Sequence, residues 1–233
     1  MSKLIIGVIK VKKIISLLVA SIMLMSVIVV SATELTKEQQ TDLYSYGIMV
    51  GDENGDLRLN DTITRAEAVK MICCAYDVNI SSDDSLINNY FNDIPQSHWA
   101  IKYINIAKEL GIADGDENGN FKPEDEITYN EIIKMIVYVL GYSPMADARG
   151  GYSNDYFMVA TQLGITKSLS IKNERVASRN DVAILISNAL DIPIMVQTGI
   201  NLDAEQPKAE YQIANGENGI KLITLRSMLN ETK

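Results

Sequence analysis

The chain has 233 residues, and its 30 acidic side chains outnumber its 21 basic ones, so that the formal net charge is −9. An acidic chain lacks the general positive field that attracts a phosphate backbone, which argues against nucleic acid as a partner. The cysteines Cys73 and Cys74 are adjacent, which excludes a disulfide framework and predicts that at least one of them is a small core residue.

The first 32 residues have the pattern of a secretory signal peptide. Lysines at positions 3, 10, 12 and 13 come before an apolar run over 14–30, and small residues up to Ala32 provide a cleavage point. A retained membrane anchor is the alternative, because the run approaches the length that spans a bilayer. We predict export and cleavage after Ala32, which leaves no membrane segment. Loss of the four lysines would change the net charge from −9 to −13.

An internal repeat occupies most of the remaining chain. Residues 47–67 (GIMVGDENGDLRLNDTITRAE) and 111–131 (GIADGDENGNFKPEDEITYNE) are two copies of one pattern. A shorter copy over 163–190 keeps the LGI start and a polar turn before a helix but lacks GDENG. One unit of this size cannot bury its own apolar face, so we expect the copies to pack together.

Each copy is predicted to contribute two helices that are joined by a polar loop. Apolar spacing and stop signals place these helices, in chain order, over 36–46, 64–76, 98–110, 128–140, 153–163 and 178–190. Ser97 is the predicted cap of the third. Residues 211–225 alternate around an NGENG turn and predict a small hairpin, with one or two helical turns after it over 224–230.

The second helix of each copy begins with the same signal. A hydroxyl stands at the N-cap and an acid follows three residues later in Thr64 with Glu67, Thr128 with Glu131, and Ser178 with Asp181. These pairs are predicted capping boxes, each of which stabilises its helix by about 1 kcal/mol.

The residue after the cap is less easily explained by helix stability. Arg65 and Arg179 occupy this position, where the helix dipole mildly disfavours a cation. An anion bound at the helix start would account for both arginines. The alternative is that they are solvated surface residues.

Several motifs now point to one family. Residues 91–131 contain FND, HWA, LGI, GDENGNF and ITYNE, which resemble in order and spacing the S-layer homology module, and residues 47–72 resemble its latter half with ITRAE intact. The resemblance implies an all-α fold in which three tandem helix-loop-helix repeats form a pseudo-threefold bundle. It also implies binding to a secondary cell wall polysaccharide, typically one ending in a pyruvylated amino sugar, and hence anchoring of an exported protein at the cell surface.

The resemblance also implies the binding residues. In this family the ITRAE arginine, the FxD aspartate and the HWA tryptophan line grooves between repeats, and these positions correspond to Arg65, Arg179, Asp93 and Trp99. A guanidinium can pair with the carboxylate of a pyruvate ketal, and the tryptophan face can contact a sugar ring. The alternatives are structural: Trp99 would fill the junction between repeats, and Asp93 would be a turn or cap residue.

The chain departs from the family pattern in each repeat. Tyr129 stands where the second arginine belongs, Tyr152 lies near the third tryptophan position, and the first repeat lacks FxD and HWA. We therefore expect one or two competent grooves rather than three. The predicted divisions of the chain are a signal peptide (1–32), three repeats (33–90, 91–145, 146–196) and a C-terminal extension (197–233).

Calcium binding is the main alternative function. Five residues match positions 1, 3, 5, 6 and 12 of the EF-hand loop, namely Asp114, Asp116, Asn118, Gly119 and Asp125. Position 12 is the shorter Asp, however, and the next helix begins too late, so a structural turn also explains the loop.

No enzyme is predicted. The chain has a single histidine, His98, and no phosphate-binding glycine loop, so neither a catalytic residue nor a cofactor is proposed, and no metal site apart from the calcium alternative. The predicted partner is a secondary cell wall polymer or peptidoglycan-linked polysaccharide, and the predicted location is the cell wall or cell surface. The sequence identifies no protein partner.

Overall fold

The computed structural model describes residues 33–78, 89–171, 175–201, 208–215 and 222–232. The predicted signal peptide, 1–32, lies outside these ranges, so its cleavage stays a prediction. None of the helices in the described ranges has the length and apolar character needed to cross a bilayer.

Helices account for most of the regular structure in these ranges, which confirms the all-helical prediction. The eight helices are α1 Lys37–Ser45, α2 Arg65–Ala75, α3 Ile101–Glu109, α4 Tyr129–Val139, α5 Ser143–Asp147, α6 Asn154–Gln162, α7 Arg179–Ala189 and α8 Leu225–Glu231.

Most predicted helix bounds agree with the structure to about one residue, and one start is wrong. The N-cap of α3 is Ala100, which makes no side-chain cap bond, and Ser97 is therefore not the cap. Turn hydrogen bonds from His98 N–H to Pro95 and from Ile101 N–H to His98 occupy the segment before it instead. Helix α5 was not predicted, because its five residues are too few to show a period.

The three helices α2, α4 and α7 form the centre of the molecule. Each contacts the other two, and eight of the eleven residues are buried in both α4 and α7. In α2 the buried set includes Cys73, and burial raises the pKa of its thiol to about 12. The prediction that a cysteine belongs to the core is confirmed.

We call α2, α4 and α7 the inner helices and α1, α3 and α6 the outer helices. The outer helices pack across repeats rather than within them. Helix α3 packs on α2 of the preceding repeat, α6 packs on α4 in the same way, and α1 closes the circle by packing on α7. A hydrogen bond from the Leu35 backbone N–H to Asn180 Oδ1 (3.1 Å) supports the junction between α1 and α7. The repeats are thus interlocked, and each inner helix carries the outer helix of the next repeat.

Short backbone pairings also join the segments that lead into the inner helices. Three equivalent N–H to carbonyl bonds run from Arg65 to Asp125 (2.9 Å), from Tyr129 to Arg175 (3.1 Å) and from Arg179 to Asp61 (2.9 Å). Each joins the start of an inner helix to the end of another repeat's loop, so that these starts lie at seams between repeats.

A hairpin is present near the C-terminus, but its strands differ from those predicted. Strand β1 (Met195–Asn201) pairs antiparallel with β2 (Lys208–Ile213). Most of the predicted NGENG turn lies outside the described residues. Next to it, Asn215 and Leu222 form an antiparallel bridge, and the Ile223 N–H donates to the Ala214 carbonyl (3.0 Å). Residues 195–201 contain several β-branched side chains, which suits them to be the partner strand.

Candidate functional site

Three side-chain pairs link the repeats at the starts of the inner helices. Each pair joins the residue after an N-cap to the capping-box acid of another repeat: Arg65 with Glu131, Tyr129 with Asp181, and Arg179 with Glu67. The Arg179 Nη1 to Glu67 Oε1 distance is 3.2 Å. The pairs follow the same cyclic order as the backbone bonds, so each seam has one.

Each glutamate in these pairs has two separate contacts. In Glu67, Oε2 accepts from the Thr64 N–H (3.0 Å) to complete the capping box, while Oε1 accepts from Arg179. Glu131 divides its oxygens in the same way between Thr128 and Arg65. The first two predicted capping boxes are confirmed.

The third predicted capping box is wrong in one of its two bonds. The Ser178 hydroxyl accepts from Asp181 N–H (3.1 Å), but the aspartate does not reach back to the Ser178 N–H. Its oxygens accept instead from Asn180 Nδ2 (3.0 Å) and the Tyr129 hydroxyl. The side chain of Asp is one methylene shorter than that of Glu, which limits its reach toward the cap.

Arg65 is held by protein groups on every guanidinium nitrogen. Besides Glu131, its Nε donates to the Phe121 carbonyl (3.0 Å) and its Nη2 to the Asp114 carbonyl (3.2 Å). Its guanidinium carbon lies 4.8 Å from the centroid of the Phe121 ring, a cation–π contact. The side chain is 12% exposed, so the solvated-surface alternative is wrong for Arg65.

Arg179 makes the corresponding contacts at another seam. Its Nε donates to the Leu57 carbonyl (3.1 Å), and its side chain is 11% exposed, so the surface alternative is wrong here as well. Both arginines therefore have a structural role that the sequence did not predict.

Arg179 and Trp99 lie in one groove, which we call the Trp99 groove. Its volume is about 200 Å³, and Lys70, Arg58 and Met71 also line it. Trp99 is 54% exposed, so its ring presents a free face rather than filling a buried junction. The neighbouring His98 ring stacks with the Trp99 ring, and the two centroids lie 5.8 Å apart.

A second groove contains Arg65 and is here called the Tyr152 groove. Its volume is about 380 Å³, and Lys134 and Lys122 contribute further cations to its lining. Tyr152 is 56% exposed and comes just before α6, as Trp99 comes just before α3. The packing of outer helices across repeats explains this match, because each aromatic residue is carried to the inner helix of the preceding repeat.

At the corresponding positions beside α7, the described residues include neither the arginine, nor the lysine, nor the aromatic residue of these grooves. Tyr129 replaces the arginine and hydrogen-bonds to Asp181, and Ile184, at the position of Lys70 and Lys134, is buried. Residues 33–36, which come just before α1, contain no aromatic side chain. Two grooves with an aromatic residue and cations are thus present in the described residues, and the number that binds a ligand stays a prediction.

Asp93 does not line either groove. Its carboxylate accepts from the backbone N–H groups of Phe121 (2.8 Å) and Lys122 (2.6 Å) and holds the loop beside Arg65. Lys122 has a φ of 60°, a conformation that needs such support. The structural alternative thus accounts for Asp93, and its contact with a ligand stays a prediction.

The GDENG loops are turns that are closed by their own aspartates. Asp116 Oδ1 accepts from the N–H groups of Asn118 and Asn120, both at 2.9 Å, and these bonds lower the pKa of Asp116. Asp52 makes the equivalent bonds in the first repeat. Among the described residues no group of three or more acidic, histidine or cysteine side chains converges as metal ligands would. The geometry favours the structural turn over the calcium loop.

The lysines of both grooves were not among the binding residues predicted from the sequence. Lys70 and Lys134 each stand six residues after the cap of their inner helix, in TRAEAVK and TYNEIIK. Their identical place in two repeats was the signal that could have identified them.

Comparison with known proteins agrees with this architecture. The model of the S-layer homology domain matches residues 41–69 and 90–133. The chain is 30% identical over 161 residues to the middle cell wall protein of Brevibacillus brevis (strain 47), which covers 69% of this chain and 15% of that protein. It is 28% identical over 155 residues to a cell surface protein of Thermoanaerobacter kivui (66% and 20%) and 29% identical over 161 residues to the surface layer protein of Brevibacillus choshinensis (69% and 14%).

The chain spans a fifth or less of the length of these relatives. The residues that match the domain model include the helix-start motifs of α2 and α4 and both GDENG loops. These are the segments that form the seams between repeats. The chain therefore belongs to the S-layer homology domain family.

Proposed function

We propose that this protein attaches non-covalently to a bacterial cell surface by binding a cell wall polysaccharide in the Trp99 and Tyr152 grooves. The observation that carries the proposal is the exposed Trp99 ring in one groove with Arg179 and Lys70. The relatives bear the names of cell wall, cell surface and surface layer proteins, which supports the same function.

The Trp99 groove suits an anionic sugar better than the rest of this acidic chain does. The domain is strongly acidic overall, yet the Trp99 groove combines the cations Arg58, Lys70 and Arg179 with only three carboxylates. A pyruvate ketal would supply one carboxylate on a sugar ring, which suits an aromatic face beside a cation. In the Tyr152 groove three cations face five carboxylates, so we expect weaker binding there.

We propose binding without cleavage. Cleavage of a glycosidic bond normally needs a pair of available carboxyl groups. In the grooves, Glu67 and Glu131 are held by capping and ion-pair contacts. Asp52 and Asp116 close their own turns. The exported location at the cell surface is part of the same proposal.

Co-sedimentation of the purified protein with purified bacterial cell walls tests the proposal. We expect Trp99→Ala to weaken binding roughly fivefold, because an aromatic contact contributes about 1 kcal/mol. Tyr44→Ala is the matched control, since Tyr44 is 66% exposed on α1 and lines neither groove. Removing pyruvate from the walls with mild acid should also lower binding.

Two results would contradict the proposal. One is that the unchanged protein stays in the supernatant at all wall concentrations. The other is that Trp99→Ala and Tyr44→Ala bind the walls equally well.

A further inference from the structure

We infer that Lys70 and Lys134, rather than the helix-start arginines, supply the charge that binds the anionic sugar in the two grooves. The inference rests on the proposed function and assigns the ligand contact within it. It concerns an acidic sugar whose carboxylate meets a lysine while its ring lies on Trp99 or Tyr152.

The arginines are already engaged within the protein. All three nitrogens of the Arg65 guanidinium donate to protein oxygens, and Nε and Nη1 of Arg179 do the same. These bonds use three of the five N–H donors of the Arg65 guanidinium, and its charge already faces Glu131, so a ligand carboxylate gains less there than at an unpaired cation. Separation of a largely buried charge from its partner is costly, so the arginines are better suited to hold the seams.

The two lysines differ from the arginines in having no acidic partner among the described residues. Within the part of the chain that the structure describes, neither Lys70 nor Lys134 takes part in an ion pair or a hydrogen bond to an acid. Other cations of the grooves are paired, Lys122 with Asp116 (3.2 Å) and Arg58 with Asp61 (2.8 Å). An unpaired cation needs to displace no protein group to meet an anion.

Each lysine also shares its groove with the aromatic residue. Lys134 Nζ lies 5.7 Å from the centroid of the Tyr152 ring, and Lys70 lines the same groove as Trp99. Both lysines are half-buried on an inner helix, at the same distance in sequence from its cap. In the third repeat the position is Ile184, which is buried, and the aromatic residue is missing as well. Lysine and aromatic residue are therefore present together or absent together.

Charge-removing variants test this assignment with walls that carry, or have lost, pyruvate. We expect Lys70→Gln to weaken binding to pyruvylated walls by about tenfold, and the Lys70→Gln, Lys134→Gln double variant to bind both kinds of wall equally. Lys70→Arg should keep most of the binding, because it keeps the positive charge at this position. Lys37→Gln, which removes an exposed lysine from α1, is the matched control.

The outcomes separate the inference from the proposed function. If the unchanged protein does not bind walls, the proposed function fails and the inference fails with it. If it binds, and the double variant with an unchanged thermal unfolding midpoint still prefers pyruvylated walls, only the inference is wrong. Retained binding by a folded Arg65→Gln variant would support it further, since the seam cation would then be dispensable for the ligand.

Discussion

At the scale of single residues, one seam has a hydrogen bond from a tyrosine to a carboxylate in place of the ion pair of the other two seams. Where two seams have arginine with glutamate, the third has Tyr129 with Asp181, and both members differ together. The Tyr129 ring is buried at this seam, and its hydroxyl donates to the shorter acid Asp181. The exchange keeps the junction between repeats but removes the cation.

The Tyr129 pair should make the folded protein less stable at alkaline pH. Burial, followed by the hydrogen bond to Asp181, raises the pKa of Tyr129 above its ordinary value of 10.0. The folded protein therefore holds this proton more tightly than the unfolded chain does. Its contribution to stability is complete below pH 10 and is lost as the pH rises toward the folded-state pKa.

We predict that the free energy of unfolding falls above about pH 10 and that Tyr129→Phe makes this fall less steep. At pH 7 the variant should be less stable by about 1 kcal/mol, because Asp181 loses a hydrogen-bond donor. Urea unfolding between pH 7 and pH 11 measures both effects. Tyr44→Phe, at an exposed site, is the control, and identical pH profiles for the two variants would contradict the prediction.

At the scale of elements, the N-terminus of each inner helix both caps the helix and joins two repeats. Glu67 caps α2 with one oxygen and receives Arg179 with the other. This double use explains why an arginine is tolerated in the first helical turn despite the dipole. The acid of another repeat neutralises it.

Two substitutions of Glu67 should separate these contacts. Glu67→Gln keeps an oxygen for the Thr64 N–H but removes the charge opposite Arg179, and we expect a loss of about 1 kcal/mol. Glu67→Ala removes both contacts and should cost about 2–3 kcal/mol. Chemical denaturation gives the two values. Equal losses would show that the cap bond adds nothing to stability.

At the scale of the whole molecule, α8 lies across the junction where the first and last repeats meet. Arg226 in α8 donates to Asp42 of α1 (2.5 Å) and to Asp191, just after α7 (2.6 Å). The Tyr46 hydroxyl, at the end of α1, also donates to Asn230 of α8 (2.9 Å). These contacts tie the C-terminal segment to both ends of the repeat ring.

We predict that Arg226→Ala lowers the free energy of unfolding by roughly 1–3 kcal/mol, because it leaves the partly buried Asp42 without its partner. Arg226→Lys should recover part of this loss, since a lysine cannot hold both carboxylates with a planar fork. Arg58→Ala is the control. Its pair with Asp61 is half exposed on both sides, so the cost should be about 0.5 kcal/mol or less. Equal losses for Arg226→Ala and Arg58→Ala would contradict the prediction.

Local patterns made much of this protein readable from its sequence. The repeat, the bounds of the inner helices, two capping boxes and the core role of Cys73 all depend on interactions within a few residues or on simple burial. The family resemblance rests on the same short motifs. Trp99 and Arg179 could be named as candidates because those motifs are contiguous in sequence.

The tertiary structure decided which groups meet. That α3 packs on the inner helix of the preceding repeat, and so carries Trp99 to Lys70 and Arg179, depends on contacts between residues far apart in the chain. The same holds for the engagement of Arg65 with Glu131, which lies in another repeat. Sequence period and capping describe each helix separately. The partner of a side chain at a seam is set by how the helices close on one another, and only the closed ring shows which cations remain free for a ligand.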